Sequence, residues 1–232
     1  EIGIKIYPQV RMIGEQLPPN HIDYTGPGDY QRQHPEYRCL SPQGRPTRHL
    51  SQASPEVRAK YVDLFREWVD DYEADGVCIV FCRSWPYVLF EEPILESFRQ
   101  QHGVDMTSLD YFDERVLAHR ATFLTQLLRQ TRQMLDEVGE RQGRRLRTSY
   151  VIPAEDYGST PTPDLGPFTP LKIHAMDVET WVREGLVDDL VVHIQDVGDA
   201  AGNDARVALA PYVDLARGTQ TTVHADLYPR RQ

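Results

Sequence analysis

Carboxylates stand at the ends of two apolar runs in this chain. The stretch ADGVCIVFCRSWPYVLFEEP, Ala74 to Pro93, opens as a buried strand should, runs into Arg83, Trp85 and Tyr87, and then presents Glu91 and Glu92. A second run leads into VIPAEDYGSTPTPDLG, which puts Glu155 and Asp156 just past a strand end. Two carboxylates facing one cleft are what glycoside hydrolysis requires, one to protonate the leaving oxygen and one to attack or to activate water. Adjacent strand residues point to opposite sides, so at most one of Glu155 and Asp156 is expected in a shared pocket. An Arg beside aromatic rings suits sugar recognition, the rings covering a pyranose face while the charged donor orients hydroxyls. The plainer alternatives are that Arg83 stacks on Trp85 in a packed loop, and that Glu92 with Pro93 begins a helix whose amino end favours negative charge.

Further polar groups follow other apolar runs: Gln9 and Arg11 the first, His193, Gln195 and Asp196 the fourth, His224 and Asp226 the fifth. Arg11, Arg83, Trp85, Tyr87, His193, His224 and Asp226 are the candidate substrate-binding residues, and Glu155, Glu91, Glu92 and Asp156 the candidate acids and bases. His193 or His224 as a general base on a non-sugar substrate is a competing chemistry. Neither H-E-x-x-H, nor a Cys pair at zinc spacing, nor an EF-hand loop occurs, so no metal and no cofactor is expected. A G-x-S-x-G elbow and a P-loop are also missing.

The elements that must position these groups alternate. Strands are expected at Ile2–Tyr7, Val77–Cys82, Leu146–Ile152, Leu190–Ile194 and Thr221–Ala225, several of them near-continuous apolar runs like strands buried on both faces of a parallel sheet. Between them SPEVRAKYVDLFREWVDD reads as a helix with Ser54 at its N-cap and Pro55 at its first position; others are expected at about 93–102 and 114–141, in DVETWVREGLVDD, and in NDARVALAPYVDLARG, where Pro211 predicts a kink or break. Strand, helix, strand in repetition is the βαβ pattern of a parallel sheet. With no G-x-G-x-x-G after any strand, a (β/α)8 barrel of TIM type is favoured over a dinucleotide-binding sheet. Only five strands are visible, so the expected fold is an α/β partial barrel forming one domain over residues 1–232, a piece of a longer protein. The two stretches without periodicity, 11–54 and 153–174, each follow a strand's C-terminal end, where barrels keep their chemistry.

Composition narrows the partners. The formal charge of −10 disfavours a phosphate backbone or an anionic membrane, and no apolar run is long enough to span a bilayer. Cys39, Cys78 and Cys82 are too few for a disulfide framework. The chain begins EIGIKIYP, with neither Met nor a signal-like leader, so an extracytoplasmic location is compatible with a leader already removed.

Several phrases together, HPEYRC, LSQASPEVRAKYVDLFREW, DGVCIVFCR, VLFEEPILESFRQQHG, FLTQLLRQTRQMLDEVGERQGRRL, DVETWVREGLVDDLV and ADLYPRR, resemble a family of bacterial TIM-barrel proteins described as glycosyl-hydrolase-like or family 10 glycosylhydrolase-like. The resemblance implies a carbohydrate-active barrel acting on a poly- or oligosaccharide, with the visible strands its third to seventh. The family's pattern is D-G-V-x-L-D-F-x-R. Asp75, Gly76, Val77, Phe81 and Arg83 match it, but Val80 stands where the second Asp belongs. Either another carboxylate takes that role, or the protein binds sugar without cleaving it.

Overall fold

Among the described residues five parallel strands carry the fold, and each strand's neighbour in the sheet is the next sheet strand along the chain. The structure, a computed structural model, describes residues 3–12, 29–82, 85–154, 164–195 and 204–228. In chain order the elements are β1 (Gln9–Arg11), α1 (Asp29–Gln33), β2 (Arg38–Leu40), β3 (Pro46–Leu50), α2 (Pro55–Asp70), β4 (Gly76–Val80), α3 (Glu92–His102), α4 (Glu114–Gln142), β5 (Arg147–Pro153), α5 (Thr169–Ile173), α6 (Val178–Arg183), β6 (Asp189–Gln195), α7 (Ala205–Ala216) and β7 (Thr222–Tyr228).

The sheet order is β1-β4-β5-β6-β7, parallel throughout. Right-handed crossovers that always step the same way leave their helices on one face, whereas a doubly wound sheet reverses at a switch point. The arrangement is therefore the barrel pattern, left open, with β1 and β7 as its edges among the described residues. Ile79, Phe81, Tyr150, Ile152, Leu190 and Val192 alternate onto the helix-covered outer face and are fully buried. Phe81, Tyr150 and Trp181 meet there edge to face or tilted, with ring centroids 5.5 to 6.0 Å apart, and the Trp181 indole donates to Thr125 Oγ1 of α4 at 2.9 Å. On the inner face Cys78, Val80 and Cys82 pack against Tyr7 and Val151.

Three expectations are corrected. The first ladder strand is Gln9–Arg11 and not Ile2–Tyr7: Pro8 has no amide hydrogen to give, and the residues before it reach the sheet through Asp75 N to Ile6 O and Ile6 N to the Asp75 carboxylate. β7 continues past Ala225 to Tyr228 because His193, Ile194 and Gln195 of β6 extend its pairing. Of the kink or break expected at Pro211, the break does not occur, since α7 runs through it. The stretch 11–54 also holds structure that its aperiodicity hid. RCLSPQGRPTRHL is a hairpin, β2 against β3, turned at Ser41–Gly44 where Gly44 takes a positive φ of 73°.

Gly76 is the tightest point of the sheet. A Cβ there would be driven into the carbonyl oxygen of Arg147, its register partner on β5, with Tyr7 Cε1 2.8 Å away. Both obstacles belong to the sheet, so Gly76→Ala is expected to cost roughly 3 kcal/mol or more through displaced strand pairing. Chemical denaturation of the variant measures this; an unchanged midpoint would contradict the packing described.

The N-terminal ends of the strands are tied by ions. Asp188, almost fully buried, accepts from Arg145 Nη2 at 2.6 Å, Arg132 Nη1 at 3.2 Å and Thr148 N at 2.9 Å. One residue on, Asp189 takes a two-pronged bond from Arg147, 3.0 Å on each arm, and one from His224 Nε2 at 3.0 Å. Burial alone would push the Asp189 carboxyl up, but those bonds to Arg147 and His224 hold it below the ordinary carboxylate range.

Candidate functional site

Strand register decides which side chains share the concave inner wall at the C-terminal ends. Arg11 stands opposite Val80, Val80 opposite Val151, Val151 opposite Val191, Pro153 opposite His193, and His193 opposite Asp226. Register partners in a parallel pair face the same way. Two inward-facing rows follow: Arg11, Val80, Val151, Val191 and His224 form one, and Pro153, His193 and Asp226 form the row above it, nearer the C-terminal ends. With strands about 4.8 Å apart, the four strand steps from Arg11 to His224 span on the order of 19 Å along the sheet, and Asp226 lies one row above His224.

His193 and Asp226 form the polar centre of this wall. Nδ1 of His193 lies 2.6 Å from Oδ2 of Asp226, and an ionised carboxylate can only accept, so Nδ1 carries the proton in that bond. The imidazole side chain is 6% exposed and the carboxylate 46%, so a buried ring holds a half-exposed acid in place. Among the described residues Oδ1 of Asp226 has no hydrogen-bond partner. The backbone below is fixed as well, Ala154 N donating to His193 O at 2.9 Å.

Val80 is 3% exposed and sits among Cys78, Cys82, Tyr7 and Val151. The position where the resembled pattern carries an Asp is therefore apolar and enclosed. Arg11, its register partner, is exposed at the sheet edge.

The remaining candidates divide. Arg83, Glu155 and Asp156 lie outside the described residues. Trp85 is half-buried and stacks on His174 with centroids 3.8 Å apart and planes 22° from parallel, which ties the loop after β4 to the end of α5. His174 was not singled out in the sequence, since nothing there pairs it with a ring ninety residues earlier. Tyr87 is corrected from a sugar contact to a core residue: it is 2% exposed, its hydroxyl donates to Phe81 O at 2.6 Å, and its ring meets Phe81 edge-on. His224 stands opposite Val191, in the same row as Arg11 and Val80 and one row below Asp226, and its ring bonds down to Asp189. Glu92 is exposed at the first position of α3, where its charge suits the helix dipole.

Glu91 is a structural latch. Its buried carboxylate accepts from Leu40 N at 2.9 Å and Leu89 N at 3.0 Å, pinning the β2–β3 hairpin to the loop after β4; Phe90 N to Leu40 O and Gln52 N to Tyr87 O complete the seam. Burial raises the Glu91 pKa, while the amides of Leu89 and Leu40 and the Ser51 hydroxyl pull it partly back. In Glu91→Gln one of those amides loses its acceptor, an expected cost of about 2 kcal/mol. A folded pKa above the unfolded 4.5 gives proton-linked stability that is complete below pH 4.5 and fades as pH rises through the folded value. The wild type's advantage over Glu91→Gln is therefore expected to narrow between pH 4 and pH 7, which melting curves across that range would show; a widening gap would contradict the sign.

The sequence matches no protein-family model and no curated protein. Solved structures similar to it include a glycoside hydrolase family 18 N-acetylglucosaminidase from Paenibacillus barengoltzii, at 14% identity and a TM-score of 0.44 over 93% of this chain and 60% of that one. Another is alpha-L-fucosidase isoenzyme 2 from Paenibacillus thiaminolyticus, at 14% identity and a TM-score of 0.46 over 97% of this chain and 34% of that one. The chain spans less than two thirds of either protein's length. At this level of likeness neither protein's activity transfers to it.

Proposed function

We propose that the chain is a carbohydrate-active barrel protein that binds a poly- or oligosaccharide along the inner wall at the C-terminal ends of its strands. The observation that carries this reading is the His193–Asp226 pair: a half-exposed carboxylate, fixed by a buried imidazole, accepts hydrogen bonds from sugar hydroxyls. Arg11 donates from the row below, at the β1 edge, Trp85 offers an aromatic ring on the loop after β4, and Arg83 joins as a hydroxyl-orienting cation. Val80 and the sequestered Glu91 favour binding over cleavage, since neither position supplies a free acid. The family 10 glycosylhydrolase-like resemblance of the sequence supports the same substrate class.

A second reading, hydrolysis, is favoured by the open Oδ1 of Asp226. Glycosidases need a pair of carboxylates about 5 to 9.5 Å apart, and Asp226 supplies one. Glu155 is the proposed acid/base, since at most one of Glu155 and Asp156 is expected to enter the pocket.

A panel of oligosaccharides, screened for binding by calorimetry and for cleavage by product analysis, separates the two. Saturable binding without products is expected. Product release that disappears in Glu155→Gln would establish hydrolysis instead, and failure to bind any glycan would overturn both readings.

A further inference from the structure

A cavity of about 270 Å³ lies on the outside of the sheet, between the start of α4 and the short helices α5 and α6. At ~30 Å³ per water this is space for roughly nine waters, or for one small ring with a short tail. Its walls are apolar: Leu117 and Ala121 from α4, Phe168 before α5, and Met176 before α6, all buried. Its charged groups are three carboxylates, Glu114, Asp177 and Glu179, and one ammonium, Lys172.

Their bonding leaves a net negative mouth. Both Asp177 oxygens are engaged by Thr180, Oδ1 with the backbone N at 3.1 Å and Oδ2 with the hydroxyl at 2.6 Å. Lys172 Nζ points to the Leu165 carbonyl at 3.3 Å, and the exposed Arg183 reaches Glu179 at 3.4 Å. Glu114 makes no hydrogen bond or ion pair among the described residues. The amino end of α4 offsets about half a charge, which does not balance the excess.

We propose that this cavity binds a small organic cation with an apolar body, an aryl- or alkylammonium, its ring against Leu117, Phe168 and Met176 and its ammonium at Glu114. None of these residues belongs to the inner wall, so the site is independent of sugar binding.

Titration of the full chain with benzylamine tests it, with benzyl alcohol and benzoate as controls and amide chemical shifts as the readout. Benzylamine is expected to bind saturably and to shift the amides of Leu117, Ala121 and Met176, benzyl alcohol to bind about fivefold more weakly, and benzoate not at all. Glu114→Gln is expected to lose the amine's advantage and leave the alcohol's affinity unchanged. Ala121→Leu fills the cavity and should abolish both; if that variant does not fold, Ala118→Leu at the exposed mouth serves the same purpose. Equal binding of amine, alcohol and benzoate, shifts confined to other regions, or no saturable binding of benzylamine would overturn the proposal.

Discussion

Asp188→Ala is expected to lower the free energy of unfolding by about 4 kcal/mol, the range seen when one partner of a buried ion pair is removed. The loss has three parts. Arg145 and Arg132 lose a carboxylate at 2.6 and 3.2 Å, and the amide of Thr148, fully buried at the second residue of β5, loses its acceptor. Arg132 keeps Asp136 at 2.7 Å, but that partner is on the helix surface and repays little. For a chain of this size the melting temperature should fall by roughly 8 to 16 °C. Asp188→Asn, which retains an acceptor for Thr148, should lose less. Thermal unfolding followed by circular dichroism measures both, and a fall of only a degree or two in Asp188→Ala would mean that the cluster does not hold β5 to β6.

Asp226→Ala is the second large effect, and its main action is on binding. A charged acceptor bonded to sugar hydroxyls contributes about 1.5 to 3 kcal/mol, so affinity for the bound glycan should drop roughly 10- to 100-fold. Stability should also fall, by about 1 to 3 kcal/mol, because the buried imidazole loses the acceptor of its Nδ1 proton. His193→Ala removes the imidazole that fixes the carboxylate, and its smaller loss of affinity, rescued in part by His193→Gln, would mark His193 as a positioning residue. Unchanged affinity in Asp226→Ala would remove this pair from the sugar site.

Much of the fold was legible because the outer face of the sheet is so consistently apolar. Val77 to Phe81, Tyr150 to Ile152 and Leu190 to Ile194 could be nothing but buried strands, and Ser54-Pro55 and Gly143 punctuate the helices where the chain turns. The edges were less legible. At β1 a proline interrupts donation, so the apolar run IGIKIY was more strand-like than the residues that form the ladder. At β7 the pattern weakens because Ala225 and Leu227 remain exposed on an edge strand. The site was legible by residue type but not by layer. Asp226 and His224 are two residues apart in sequence and look like one pair, yet Asp226 bonds across to its register partner His193 and His224 bonds down to Asp189. Glu91 and Tyr87 looked like binding groups because acids and aromatics after a strand usually are. Glu91 is buried by the β2–β3 hairpin, a long-range contact that local pattern does not reveal, and Tyr87 turns in against Phe81.

The sugar site is tested most directly by mapping a bound oligosaccharide onto the protein by amide and side-chain chemical shifts. Changes should centre on Asp226 and His193, extend through Trp85 to Arg11, and vanish in Asp226→Ala. Perturbations that cluster instead at Lys5, Arg147 and Asp189 near the N-terminal ends of the strands, or on the outer helices, would contradict sugar binding at the C-terminal ends.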